Sequence, residues 1–338
     1  MGLVTFRVLI CDDSSFARKQ MARALPAGMA GALSFATDGR DALEIVHRDK
    51  PDLMLLDLNM PVMDGYQVLA ALQAEHSPVQ VVVVSGDIQP EAQKRVKKLG
   101  AIGFIKKPTN PLELLPYLQQ IGIDLGAEAQ APPMDAELDI PVDAMDSYQE
   151  MVNVAMGRAG ALLAGVLGNF IQLSIPKVNM FEGGELHMTL THVTARDTVH
   201  AVCQGFVARD LAGEAILIFN DASFEDLGKL LQRDGDIDEM AKTELLMDMA
   251  NLLIGACLKG ISDQLERPFS EGRPVILGRN ARLDDMLAGR HSLWRPTLAV
   301  EIGYRVEHHN INCDLLLLFT QDSLPTLDRQ LTALGGRP

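Results

Sequence analysis

Four short apolar runs, Val8–Cys11, Leu53–Leu56, 81–84 and 102–105, punctuate the first third of the chain and are separated by amphipathic stretches such as 15–25 and 64–74. Runs this short and this continuous suit strands buried on both faces. Strands that alternate with helices pair in parallel, because each crossover consumes a dozen residues or more. Residues 6 to about 120 are therefore expected to form a doubly wound, five-stranded parallel α/β sheet, which places ligands at the carboxyl ends of its strands.

The chain has 338 residues, enough for two ordinary domains of about 100–200 residues each. With 47% hydrophobic and 22% charged residues, it reads as folded protein rather than a disordered or collagen-like one. A Gly-Ala-Glu-Ala-Gln-Ala-Pro-Pro stretch marks residues 123–140 as a linker, with domains expected over 1–122 and 141–338. Lys and Arg number 30 against 45 Asp and Glu, a net charge of −15. Residues 1–125 carry 13 basic and 14 acidic side chains, and the rest carry 17 and 31, so the acidity lies almost wholly in the second domain. That balance argues against nucleic-acid binding, whose affinity comes from neutralising phosphates.

Four scattered cysteines form no CxxC pair, which suggests neither zinc nor disulfides and fits a reducing cytoplasm. The amino terminus leads straight into the first strand without the basic, apolar and small-residue regions of a signal peptide. Between Arg158 and Lys177 the chain is uncharged, but Gly160, Gly165, Gly168 and Pro176 interrupt it. It is expected to be a buried helix and its exit loop, with no membrane insertion.

Asp12 and Asp13 follow the first strand, Asp57 follows the 53–56 run, Ser85 ends the next, and Lys107 follows the last. Converging strand ends bring these groups to one rim. Clustered carboxylates repel and are best neutralised by a hard divalent cation such as magnesium, and a carboxylate beside it and a lysine is placed to accept a phosphoryl group. Any one of these acids alone would more readily be a turn or cap residue. Together they resemble the receiver domain of CheY-like response regulators over roughly residues 5–120. That resemblance implies Asp12, Asp13, Asp57 and the Asn59 backbone carbonyl as magnesium ligands, with Asp57 as phosphoacceptor. It also implies Ser85, Phe104 and Lys107 as the groups that sense the phosphoryl group, and a histidine kinase as phosphodonor.

The second half carries Asp146, Glu150 and Asn153 at i, i+4 and i+7, a single polar row on a helix, with Pro176 beyond. The pattern recurs 98 positions later as Glu244, Asp248, Asn251 and Pro274, and suggests an α+β domain built of two similar halves, each with helices before antiparallel strands. A solvated helix face is the plain alternative. The spacing resembles the CheC/CheX family of aspartyl-phosphate phosphatases, and two copies resemble the CheC arrangement. The second copy departs from the pattern, with Glu244 and Asp248 where Asp or Ser and Glu are usual.

The resemblance implies Glu150 and Asn153, with Asp248 and Asn251 as the weaker second pair, as catalytic residues. Asp146, Pro176, Glu244 and Pro274 would support them. Asn153 would enter the pocket of a phosphorylated CheY-type receiver and orient a water, while Glu150 paired with that receiver's lysine. The expected function is a phosphatase-output response regulator in chemotaxis. A flexible linker of about 20 residues reaches about 25 Å, so dephosphorylation of Asp57 within the chain is a variant. The alternative is a phosphorylation-dependent binding module that docks CheY-like or CheD-like partners without catalysis.

Overall fold

The computed structural model describes residues 6–26, 33–122, 142–180, 198–232, 238–281, 286 and 296–335. The chain divides into two compact units, Met1–Glu150 and Met151–Pro338. The expected linker, 123–140, lies outside the described residues.

In the first unit β1 (Val8–Cys11), β2 (Leu33–Ala36), β3 (Leu53–Leu56), β4 (Gln80–Ser85) and β5 (Gly103–Lys106) form a parallel sheet in the order β2-β1-β3-β4-β5. Five helices alternate with the strands: α1 (Ser15–Ala24), α2 (Gly39–Asp49), α3 (Gly65–Ala74), α4 (Pro90–Lys98) and α5 (Pro111–Gln120). The two-residue period of the strands divides each apolar run between two cores. Leu9, Cys11, Met54, Leu56, Val81 and Val83 pack on one face, while Val8, Ile10, Leu53, Leu55, Val82 and Val84 pack on the other. Both faces are dry, which is why the runs show no polar alternation. The strand order reverses between β1 and β3, and the crevice at their carboxyl ends is where the acids gather.

The second unit continues the long helix α6 (Ala144–Leu167), inside which the boundary between units falls. Its sheet is antiparallel: β6 (Ile171–Leu173), β7 (Lys177–Met180), β8 (Val199–Ala208), β9 (Leu211–Asn220), β10 (Ser270–Glu271), β11 (Val275–Ala281), β12 (Pro296–Val306) and β13 (Asn312–Thr320). The order is β10-β8-β9-β13-β12-β6, with β11 also on β8 and β7 also on β12. Among the described residues the unit's further helices include α7 (Ser223–Leu230), α8 (Glu239–Leu265) and α9 (Leu324–Gly335).

The repeat read from the polar row governs the whole unit. Displacing the β8–β9 hairpin by 98 residues brings it onto the β12–β13 hairpin, and α6 onto α8. The halves also exchange edges: β6 and β7 of the first half pair with β12, and β10 and β11 of the second pair with β8. Neither half could close its own sheet edge alone. Helices α6 and α8 are long and apolar enough to cross a membrane by length and composition, but 67% and 56% of their most apolar windows are buried within the fold, as in core helices. Gly168, at φ +65°, ends the uncharged stretch of α6 as a left-handed cap.

Candidate functional site

The acids of the first unit are more than turn residues. Asp12 uses Oδ1 to accept from the Ser14 N–H at 2.9 Å, and Asp57 uses Oδ2 to accept from the Asn59 N–H at 2.9 Å. The other oxygen of each faces the Lys107 ammonium, at 2.7 Å for Asp12 and 3.2 Å for Asp57. Turn formation thus accounts for one oxygen per carboxylate and leaves the second for chemistry. By contrast, Asp38, Asp64 and Asp238 spend their side chains as helix caps.

Ser85 is buried at the end of β4, and its backbone carbonyl accepts from the Lys107 N–H at 3.0 Å, which fixes the lysine beside the acids. Phe104 is half-buried on β5. Lys107 is followed by a cis bond to Pro108.

The Glu150 carboxylate also reaches this pocket: its oxygens lie 3.3 Å from Lys107 Nζ, and all its partners here belong to the first unit. Three carboxylates therefore share one buried ammonium. Burial raises Asp12 to about 6, against the pull of Lys107. It raises Asp13 to about 7, with Asp12 adding to the effect, and Glu150 to about 8. Burial alone would lower Lys107, but Asp12, Asp57 and Glu150 together hold it well above its ordinary value.

Oxygens of Asp12, Asp13 and Asp57 lie within 4.8 Å of one another. Three hard oxygen donors with a surplus of negative charge fit a divalent cation of the magnesium kind.

The first polar row is not presented as the sequence suggested. Asp146 is half-buried, and Glu150 and Asn153 are 4% and 6% exposed, within a stretch where residues 150–157 of α6 are all buried. The reason lies in composition: Asn153 is the lone polar side chain from Met151 to Met156, so the helix is enclosed there. Its Oδ1 has no hydrogen-bond partner among the described residues. The second row is the opposite. Glu244, Asp248 and Asn251 on α8 are all exposed. Pro176 is buried between β6 and β7, and Pro274 is half-buried between β10 and β11, so they occupy equivalent places.

The structure adds residues that the pattern did not single out. The Arg18 guanidinium donates to the carbonyls of Asp12 at 2.6 Å and Asp13 at 3.1 Å, bracing the acid pair from α1. Gln149 Nε2 lies 3.4 Å from Asp13 Oδ2. Asp146 accepts from the Ser15 hydroxyl and from the Phe16 N–H at 2.9 Å. Gln149 adjoins a motif residue, which was the available signal. Ser15 and Phe16 carried none, because an ordinary helix start looks the same.

The family model of the response regulator receiver domain matches residues 8–119. The chain is 38% identical over 104 residues to protein-glutamate methylesterase/protein-glutamine glutaminase 3 of Geobacter sulfurreducens, covering 30% of this chain and 28% of that protein. It thus spans less than a third of that relative's length. Among solved structures, the response regulator domain of Thermotoga maritima CheB is 28% identical, covering 35% of this chain and 98% of that one, with a TM-score of 0.31. Thermotoga maritima FliY is 16% identical, covering 56% and 96%, with a TM-score of 0.43. Residues 8–119 are a response-regulator receiver domain, the module of two-component signalling that accepts a phosphoryl group on an aspartate.

Proposed function

We propose that the chain is a response regulator whose region from α6 onward is an aspartyl-phosphate phosphatase of CheC type, with phosphorylated Asp57 of its own receiver as a substrate. One observation carries this reading: the Glu150 carboxylate is seated at Lys107, the pairing by which such a phosphatase would grip a receiver. The partner here is the chain's own lysine. The exposed Glu244, Asp248 and Asn251 row is then the face available to a second CheY-type receiver.

In this reading Asp12, Asp13, Asp57 and the Asn59 carbonyl would hold magnesium, which when bound offsets the charge of the acids and the phosphoryl oxygens. Lys107 binds a phosphoryl oxygen, and the Ser85 hydroxyl follows it. Asn153 supplies a neutral carboxamide to orient a water, whereas an aspartate would bring negative charge towards the phosphoryl group. A buried Oδ1 with no hydrogen-bond partner among the described residues carries a cost of about 1–3 kcal/mol, which a hydrogen-bonded water would relieve. The water oxygen bonds to phosphorus as the bond from phosphorus to the Asp57 oxygen breaks. Asp57 leaves as carboxylate, and inorganic phosphate departs as dihydrogen phosphate, carrying both protons of the water. A histidine kinase in the cytoplasm would recharge Asp57, and phosphorylation would shift the population of helix α6 between seated and released states.

The test is the lifetime of the phosphoryl group after charging the full chain with a small-molecule phosphodonor and magnesium. Asp57→Ala should take up no label, and Asn153→Ala should hold it at least tenfold longer than the parent. Equal lifetimes in Asn153→Ala and parent defeat the phosphatase reading. The 6% exposure of Asn153 favours a second reading, a module that docks CheY-like or CheD-like partners when phosphorylated. Equal lifetimes together with phosphorylation-dependent partner binding would establish that one instead.

A further inference from the structure

We infer that Asp146 is a positioning residue that sets the docking register by capping helix α1 of the receiver it serves, and that it selects receivers with a hydroxyl at the place of Ser15. The inference rests on the phosphatase reading above and says which receiver that face accepts.

The first four N–H groups of a helix have no partner within it. In α1, the Ser14 hydroxyl serves the Ala17 N–H at 3.0 Å, and the Ser14 carbonyl serves the Arg18 N–H at 3.0 Å. The Phe16 N–H, in a residue only 5% exposed, is served by Asp146 Oδ2, and the same oxygen takes the Ser15 hydroxyl proton. Helix α1 thus has one cap from its own chain start and a second from a residue 130 positions away. An anionic oxygen there also meets the positive end of the helix, and a charge-assisted bond exceeds a neutral one.

Asp146 lies one turn before Glu150 on the same helix face, so capping α1 and gripping Lys107 act as two anchors of one rigid rod. Two anchors fix the direction of the first turns of α6 as well as their position. In the second row the corresponding residue is Glu244. Its carboxylate stands one methylene further from the helix, so the same capping distance would set a different docking register. The two rows are therefore addressed to different receivers.

An alternative account of Asp146 is local: an acid in the first turn of α6 favours that helix by itself. The two accounts part at Ser15 and Phe16, which lie on another helix. In the full chain, amide exchange at Phe16, read residue by residue by NMR, should accelerate about tenfold in Asp146→Ala, the factor for loss of one such bond, and by a smaller factor in Asp146→Asn, which keeps an acceptor but loses its charge. The lifetime of phosphoryl-Asp57 should lengthen in Asp146→Ala and in Ser15→Ala, by no more in the double variant than in either single one, and return to the parent value in Ser15→Thr. Unchanged Phe16 exchange in Asp146→Ala, or a Ser15→Ala effect that simply adds to that of Asp146→Ala, overturns the inference. Failure of the phosphatase reading is separately visible, as an unchanged lifetime in Asn153→Ala with Phe16 exchange in Asp146→Ala still accelerated.

Discussion

Two glycines in the paired long helices should respond to the same substitution with opposite signs. A Cβ on Gly260 of α8 would sit 2.8 Å from Ala155 Cα and 2.9 Å from Ala155 Cβ on α6. Neither atom can swing away, so the helices must part. Overpacking of this kind costs about 1–3 kcal/mol, and replacing glycine by alanine inside a helix returns about 1 kcal/mol. Gly260→Ala should therefore lose a net of about 1 kcal/mol. A Cβ on Gly165 of α6 meets nothing within 4 Å, so Gly165→Ala keeps the full propensity gain of about 1 kcal/mol. For a unit of this size each kcal/mol moves Tm by about 2–4 °C, which separates the variants by roughly 4–8 °C. Calorimetry of the full chain, following the transition of the second unit, reads the difference. If both substitutions raise Tm equally, the close crossing of α6 and α8 does not exist. Ala155 lies two residues beyond Asn153, so the same crossing bears on how α6 carries its polar row.

Burial, reinforced by Glu301, raises Asp314 to about 6. The folded chain thus holds that proton more tightly than the unfolded one, and its stability falls as pH rises from about 4 to about 6. Asp314→Asn should remove that fall and, above pH 7, exceed the parent by about 1–2 kcal/mol once partial solvent screening is allowed for. A parent-minus-variant difference that stays flat across the window in denaturant titrations contradicts this. A Cβ on Gly65 would lie 2.3 Å from the Asp57 carbonyl oxygen and 2.9 Å from Leu58 Cα, both backbone atoms. Gly65→Ala should displace the loop after Asp57 and, with Asp57 as the proposed phosphoacceptor, slow phosphorylation by about a hundredfold, the scale for a misplacement near 1 Å, as measured by label uptake. All four cysteines are buried and in no disulfide, and burial pushes the Cys257 thiol up to about 12. A thiol reagent should find none in the native chain and four in denaturant; fast native labelling would contradict that burial.

Local periodicity determined much of this protein before any tertiary contact was considered. Apolar runs such as Val8–Cys11 and Leu53–Leu56 specify strands buried on two faces, and their alternation with helices imposes a parallel sheet whose acids share one rim. The 98-residue echo of the polar row likewise marked two halves, because a duplicated helix keeps its spacing. Other features have no local signature. That β6 and β7 pair with the opposite half, or that one oxygen each of Asp12 and Asp57 turns towards Lys107, follows from distances between residues far apart in the chain. The fate of the two polar rows shows this most plainly. Glu150 and Asn153 are enclosed while Asp248 and Asn251 lie open, although the two helices carry nearly the same pattern. Periodicity assigns a side chain to a face of its own helix, but only packing decides whether that face meets water. Glu150 reaches Lys107 across 43 positions of sequence, a pairing made by packing and not by spacing.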